Sequence, residues 1–200
     1  MNRALFVDRD GTLVEEENYL DDPARARLTP GAAAGLRAVR AAGFLVLVVS
    51  NQAGVARGFY GEDTVRAIDR RLEEMLEAEG ARVDRYYFCP HHPEFTGPCR
   101  CRKPEPGMLV DAARDFDLDL AACWVVGDRL TDVEAGSRAG VPGILVRTGY
   151  GREQERVAGV PGTATPEATT PLAVLDDLAA ACAWILRPER RRGAAPPAPA

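Results

Sequence analysis

Lysine is almost missing from this chain of 200 residues: of 25 basic side chains, Lys103 alone is not an arginine. Histidine is nearly as scarce, with two copies side by side at His91 and His92. Aromatic residues make up 6% of the chain, too few for a surface that stacks bases. The 30 acidic residues outnumber the basic ones and leave a net charge of −5, the wrong sign for a broad nucleic-acid footprint. No nucleic-acid partner is therefore expected. Long apolar runs are absent too. The longest candidate, Phe44–Val49, falls far short of the roughly 18 residues of a membrane span, so no membrane partner is expected either. Acidic Asp8 arrives after only the four apolar residues of Ala4–Val7, without the apolar stretch of a secretory signal. The expected location is cytoplasmic. In that compartment, five cysteines point to a metal site or buried thiols more than to disulfides.

What is present is a punctuated alternation of strands and helices, with no internal repeat. Short β-branched or apolar runs at Ala4–Val7, Phe44–Val49, Val83–Phe88, Trp124–Val126 and Ile144–Val146 read as strands apolar on both faces, as buried parallel strands should be. Thr29-Pro30 reads as an N-cap with proline at the first helical position, opening a helix through Leu36 and Val39 that Gly43 ends. Glu62–Glu79 is amphipathic, with Val65, Ile68, Leu72, Met75 and Leu76 on one stripe. Leu109, Ala113 and Phe116 mark another helix, and Leu172, Leu175, Leu178, Cys182 and Ile185 a closing one. The pattern predicts an α/β fold: a doubly wound parallel sheet, Rossmann-like and three-layered, with helices on both faces. It forms one domain over residues 1–187, and the arginine-, alanine- and proline-rich residues 188–200 read as a disordered tail.

In such sheets ligands bind beyond the carboxyl ends of the strands, and Asp8, Ser50, Cys89 and Asp128 each fall immediately after a predicted strand. Four segments gather there. Asp8-Arg9-Asp10-Gly11-Thr12 sets two carboxylates two residues apart, a spacing that on extended chain puts both on one side. Such a pair calls for a cation or a shared proton. Ser50-Asn51-Gln52-Ala53-Gly54 offers a hydroxyl, two amides and a loosened backbone to phosphate oxygens. Arg102-Lys103-Pro104 holds the only lysine, a compact ammonium that arginine's planar fork does not mimic at a tight site. Gly127-Asp128-Arg129-Leu130-Thr131-Asp132 adds Asp128 to an oxygen-rich site suited to Mg²⁺. Asp132 falls on the same face if a helix starts here, placed to hold a metal-bound water.

Between the second and third of these lies a loop framed by Cys89-Pro90-His91-His92 and Cys99-Arg100-Cys101. Three thiols and an imidazole make the Cys₃His set of a closed structural Zn²⁺ site. Zinc here pins a loop that leads straight into Arg102 and Lys103, so its effect is on position, not on chemistry. Cys123 and Cys182 read as small core residues.

In this order and combination the four segments resemble the haloacid dehalogenase superfamily of phosphohydrolases, over essentially residues 3–147. The cysteine–histidine loop narrows the resemblance to a zinc-containing branch, the D-glycero-D-manno-heptose 1,7-bisphosphate 7-phosphatases and the related histidinol-phosphate phosphatases. The run from Ser50 to Gly58, ending Ala56-Arg57-Gly58, is similar to the heptose type. The resemblance implies a phosphoaspartate mechanism, with Asp8 as nucleophile, Asp10 as general acid and base, and Ser50 and Lys103 on the transferring phosphoryl group. It implies Mg²⁺ held by Asp8, the Asp10 carbonyl and Asp128, and Zn²⁺ held by Cys89, His91, Cys99 and Cys101. Glu16, Glu17, Asn18 and Tyr19 would approach the sugar and Arg57 with Arg102 the distal phosphate, while Asn51, Gln52 and Arg129 complete the substrate-binding set. No large cap domain fits between these segments. The expected partner is a small phosphorylated sugar and the expected state a monomer. Histidinol phosphate is the alternative substrate, with a polynucleotide 3′-phosphate behind it.

Overall fold

The computed structural model describes residues 1–158 and 170–188; all of the expected tail except Pro188 lies outside them. Six strands form one sheet: β1 (Ala4–Val7), β2 (Leu45–Asn51), β3 (Arg85–Cys89), β4 (Trp124–Gly127), β5 (Gly143–Val146) and β6 (Ala173–Leu175). Every pairing is parallel, in the order β3-β2-β1-β4-β5-β6. The order reverses between β1 and β4, where the two chain directions of winding diverge and a crevice opens at the strand ends. Register puts Val7 opposite both Val48 and Val126. Asp8 therefore leaves the sheet between its two central neighbours, its N–H donating to Val126 O at 2.9 Å.

Parallel strands need crossovers, and the helices that make them cover both faces. They are α1 (Ala32–Ala41), α2 (Ala53–Ala56), α3 (Glu62–Ala78), α4 (Pro93–Thr96), α5 (Gly107–Phe116), α6 (Leu130–Arg138), α7 (Gly151–Ala158) and α8 (Leu178–Ile185). Leu5 and Val7 of β1 point into a core with Leu36 of α1, Ile68 and Leu72 of α3 and Ile185 of α8. Ala4 and Phe6 point the other way, against Met108, Leu109 and Ala112 of α5. The alternation that divides β1 in this way is the period of two of an extended chain. No cap domain is inserted among the described residues. The segment after β1 holds only short bridges and a 3-10 turn, and α2, α3, β3 and α4 fill the stretch from Ala53 to Thr96.

Four expectations about elements are corrected. The first helix starts at Ala32 behind Gly31, at φ 75°, because the Thr29 hydroxyl donates to Thr12 O at 2.7 Å instead of capping the helix. The second strand begins at Leu45 and the third at Arg85, and Ser50 and Cys89 lie inside them, since the ladder continues through Ser50↔Phe88 and Asn51↔Cys89. The central strands β4 and β5 gain glycines at Gly127 and Gly143. Finally, Leu172 and Leu175 do not belong to the closing helix. Residues 173–175 pair with β5 as an edge strand, and the helix starts only after Asp177, whose carboxylate caps it by accepting from Ala180 N at 2.7 Å. Leucines three apart satisfied the helical period by coincidence.

Candidate active site

The ends of β1, β2 and β4 deliver the polar residues to one crevice. A cavity of about 500 Å³ lies there, lined by Asp8, Asp10, Ser50, Asn51, Gln52, Arg102, Lys103 and Arg129, and by Glu16, Asn18 and Tyr19 from the loop after β1. Tyr60, His92, Thr131, Asp132, Tyr150 and Gln154 add polar groups to the wall, and Leu20 and Ala53 apolar ones.

At its base Lys103 is buried, 4% exposed, and each proton of its ammonium has an acceptor. Nζ donates to Asp8 Oδ1 at 2.6 Å and to Val49 O at 2.7 Å, and pairs with Asp132 Oδ1 at 2.6 Å. Burial opposes its charge, but the Asp132 and Asp8 carboxylates outweigh that and hold the ammonium above its ordinary range. Two amide contacts fix the backbone that carries it. Asn51 Nδ2 donates to Lys103 O and Asn51 Oδ1 accepts from Lys103 N, both at 3.0 Å, so both polar ends of that side chain are taken up by the Lys103 backbone. Asp132 pairs with Lys103 and caps α6, its Oδ2 accepting from Arg129 N at 3.0 Å.

Asp8, Asp128 and Asp132 are all buried and bring carboxylate oxygens within 4.8 Å of one another. Burial pushes the Asp8 carboxyl well above the carboxylate range despite the neighbouring Lys103. Burial, reinforced by Asp132, pushes Asp128 up to about 7. Three carboxylates against one ammonium leave two negative charges, which a divalent cation cancels. A second observation agrees: Asp128 Oδ2 accepts from Tyr150 N at 2.8 Å, while Asp128 Oδ1 is buried with no hydrogen-bond partner. An orphaned carboxylate oxygen is costly unless a cation faces it, and hard oxygen donors suit Mg²⁺. The chain closes on Asp128 from both sides through two glycines. A Cβ at Gly11, at φ 84°, would stand 2.3 Å from Asp128 Oδ2, and one at Gly149, 2.2 Å.

Asp10 sits higher, at the cavity wall. Its carboxylate accepts from Gln52 Nε2 at 2.7 Å and Ser50 Oγ at 3.4 Å, and from Arg9. Tyr60 in turn donates to Gln52 Oε1 at 3.0 Å. Arg102 donates to His91 O at 3.0 Å, and the Arg129 guanidinium lies 3.8 Å above the Tyr150 ring. Asn18 and Tyr19 both adopt positive φ, 45° and 70°, a conformation unfavourable for side-chain-bearing residues that turns this loop over the crevice. Two of the expected substrate-binding residues do not line the cavity, and Asp128 lies buried behind its wall. Glu17 pairs with Arg25, and Arg57 faces His92 at 3.4 Å and the Phe95 ring at 4.9 Å.

Beside the crevice, Cys89, His91, Cys99 and Cys101 converge. Cys89 Sγ lies 3.6 Å from Cys99 Sγ, and Cys99 Sγ 3.6 Å from Cys101 Sγ. His91 Nδ1 stands 3.7 Å from Cys89 Sγ and 3.4 Å from Cys101 Sγ, and only Cys89 to Cys101 is shorter, at 2.9 Å. A tetrahedron with zinc–sulfur bonds of about 2.3 Å has edges of roughly 3.8 Å, so the donor set and its size fit Zn²⁺. His91 supplies the imidazole of this quartet, while His92 turns to Arg57 and the cavity.

Sequence reasoning passed over Tyr60, Tyr150 and Gln154. The first and third carry no local signal. Thr148-Gly149-Tyr150-Gly151 follows β5 at the same sheet edge, and applying the strand-end rule to that strand would have found it.

Comparison with known proteins places the site in context. A haloacid dehalogenase-like hydrolase family model matches residues 19–140, and a HAD-hydrolase-like model residues 100–181. The chain is 42% identical to the D-glycero-D-manno-heptose-1,7-bisphosphate 7-phosphatase of Thermosynechococcus vestitus, over 91% of this chain and 94% of that one. It is 44% identical to the D-glycero-beta-D-manno-heptose-1,7-bisphosphate 7-phosphatase of Rhodopseudomonas palustris, over 70% and 81%. Among solved structures, the D,D-heptose 1,7-bisphosphate phosphatase of B. bronchiseptica, complexed with magnesium and phosphate, superposes with a TM-score of 0.80 at 35% identity, covering 93% of this chain and 98% of that one. With a family model spanning more than half its length and relatives this similar along nearly all of it, the chain belongs to the haloacid dehalogenase-like hydrolases, among their phosphatases.

Proposed function

We propose that the protein is a Mg²⁺-dependent phosphatase that removes the 7-phosphate of D-glycero-D-manno-heptose 1,7-bisphosphate, acting as a single domain with a structural Zn²⁺ loop. The observation that carries the chemistry is the buried cluster of Asp8, Asp128 and Asp132 around Lys103, two charges short of neutrality and with Asp128 Oδ1 unpartnered. The relatives' printed substrate carries the choice of sugar.

Asp8 attacks phosphorus through a carboxylate oxygen, forming the aspartyl-phosphate as the bond to the sugar O7 breaks. Asp10 gives its proton to that leaving oxygen. The Asp10 carboxylate then takes a proton from water, whose oxygen attacks the same phosphorus. The bond to Asp8 breaks, freeing inorganic phosphate and the original carboxylate. As Asp8 is phosphorylated, the Lys103 proton that lies on Asp8 Oδ1 turns to the phosphoryl oxygens, and with the Ser50 hydroxyl it offsets their charge in a water-poor site. Asp8, the Asp10 backbone carbonyl and Asp128 would hold Mg²⁺, which would supply further charge neutralisation. The cavity of about 500 Å³ accommodates a phosphorylated sugar, with Arg102 and Arg129 on its wall as cations for the distal phosphate.

The test is a comparison of kcat/KM for the two heptose bisphosphate anomers, histidinol phosphate and a 3′-phosphorylated oligonucleotide, with phosphorus NMR of the product. The expected result is preference for a heptose bisphosphate and retention of the anomeric phosphate. Higher kcat/KM on histidinol phosphate, or release of the 1-phosphate, rejects the substrate assignment.

A further inference from the structure

Arg9 stands between the two carboxylates of its segment in the sequence, yet its side chain leaves the cavity and runs into the core, where it is 1% exposed. Its guanidinium makes a fork onto Asp10. Nε lies 3.3 Å from Asp10 Oδ1 and 3.1 Å from Oδ2, and Nη2 lies 3.2 Å from Oδ1. The remaining arm, Nη1, reaches across to α3 and pairs with Asp69 Oδ1 at 3.1 Å. A buried guanidinium needs a counter-charge, and an isolated surface role does not explain why it has two. The second carboxylate fixes the plane of the fork, because an arginine held at both ends cannot turn about its long side chain.

The contacts of Asp10 are unequal. Oδ2 accepts from Gln52 Nε2, from Ser50 Oγ and from Arg9 Nε, whereas Oδ1 meets the Arg9 fork alone. Oδ1 is thus clamped by the fork, and Oδ2 is the oxygen set among the cavity-lining Ser50 and Gln52. We infer that Arg9, oriented by Asp69 from α3, is a positioning residue that fixes the Asp10 carboxyl and aims it at the leaving oxygen and later at water. The inference rests on the reading of Asp10 as general acid and base. Arg9 acts through Asp10: it does not line the cavity and touches no substrate.

A leaving group that needs no proton separates this role from a merely structural one. Expulsion of a sugar alkoxide depends on protonation, whereas p-nitrophenolate leaves unaided, and kcat/KM reports only the steps through phosphorylation of Asp8. The experiment compares kcat/KM on the heptose bisphosphate and on p-nitrophenyl phosphate for wild type, Arg9→Lys, Asp69→Asn and Asp10→Asn, each checked by circular dichroism. Lysine keeps the charge and loses the fork. Arg9→Lys is expected to lower the sugar-phosphate value by about 30-fold or more and the p-nitrophenyl value by less than about threefold, and Asp69→Asn to show the same selectivity at about threefold. Should Arg9→Lys fail to fold, Asp69→Asn, which preserves shape, decides. Equal losses on both substrates, or no loss in either variant while Asp10→Asn remains selective, overturn the positioning role. Equal losses in Asp10→Asn overturn the acid–base reading itself, and the inference with it.

Discussion

The ammonium of Lys103 has no freedom left: three protons, three acceptors, and a backbone gripped by the Asn51 amide. Lys103→Arg keeps the charge but brings a planar fork into a space fitted to a point donor. Its kcat is expected to fall by about 100-fold or more, the scale of losing a donor to transition-state charge, and full activity in steady-state assays would refute the fit. Asn51→Ala removes the grip, since both polar ends of that side chain bond the Lys103 backbone. The expected outcome is a kcat about tenfold lower at nearly constant KM, since displacement of a catalytic group costs rate before affinity; a change confined to KM would show Asn51 on the substrate instead. Asp8→Asn is expected to abolish turnover, by about four orders of magnitude or more, with an unchanged circular dichroism spectrum. That Lys103 mattered was legible from its solitude among arginines. That Asn51 serves it was not, because an amide next to a phosphate cradle in sequence gives no sign of which way its two ends turn.

At the scale of elements, the loop from Cys89 to Cys101 joins β3 to the segment bearing Lys103, two residues beyond the last thiol. With short α4 as its only regular structure, the loop depends on the quartet for its shape. Cys99→Ser is expected to lower stability by about 2–4 kcal/mol, a fall in Tm of roughly 4–16 °C for a domain of this size. The same variant should lose bound zinc by elemental analysis and lose activity with it, since Lys103 is no longer held in register. Unchanged Tm with zinc gone would leave the loop self-supporting. Elements were readable where one physical demand dominated. Buried β-branched runs gave the central strands, and the apolar stripe of Val65, Ile68, Leu72 and Leu76 gave α3. The edge strand β6 was not, because three half-buried residues obey no period and take their conformation from pairing with β5. The start of α1 was hidden for a related reason: the Thr29 hydroxyl chose a partner 17 residues away, which no local rule anticipates.

Taken as a whole, the molecule carries excess negative charge, and its most concentrated part is buried at the switch point of the sheet. Topology explains why: the carboxyl ends of β1 and β4 are neighbours only in the folded chain, so Asp8, Asp128 and Asp132 meet through folding. Their cost has a definite dependence on pH. Asp8 and Asp128 titrate above the carboxylate range in the folded, metal-free protein, Asp128 at about 7, whereas in the unfolded chain they titrate near the ordinary value of about 3.9. Between those values folded Asp128 binds more protons than it does in the unfolded chain, so its contribution to stability is full below about pH 4 and is lost as pH rises through about 7, and Asp8 acts in the same direction. A divalent cation works in the opposite sense, since it competes with those protons and binds only the native arrangement. The gain in Tm on adding Mg²⁺ is therefore expected to be small at pH 5.5 and to grow toward pH 8. In Asp128→Asn the metal-free loss of stability between pH 4 and 7 should flatten and the response to Mg²⁺ should shrink. Thermal melts of both proteins across that range, with and without the cation, check both limbs. A Mg²⁺ response independent of pH, or one undiminished in Asp128→Asn, would place the cation away from these carboxylates.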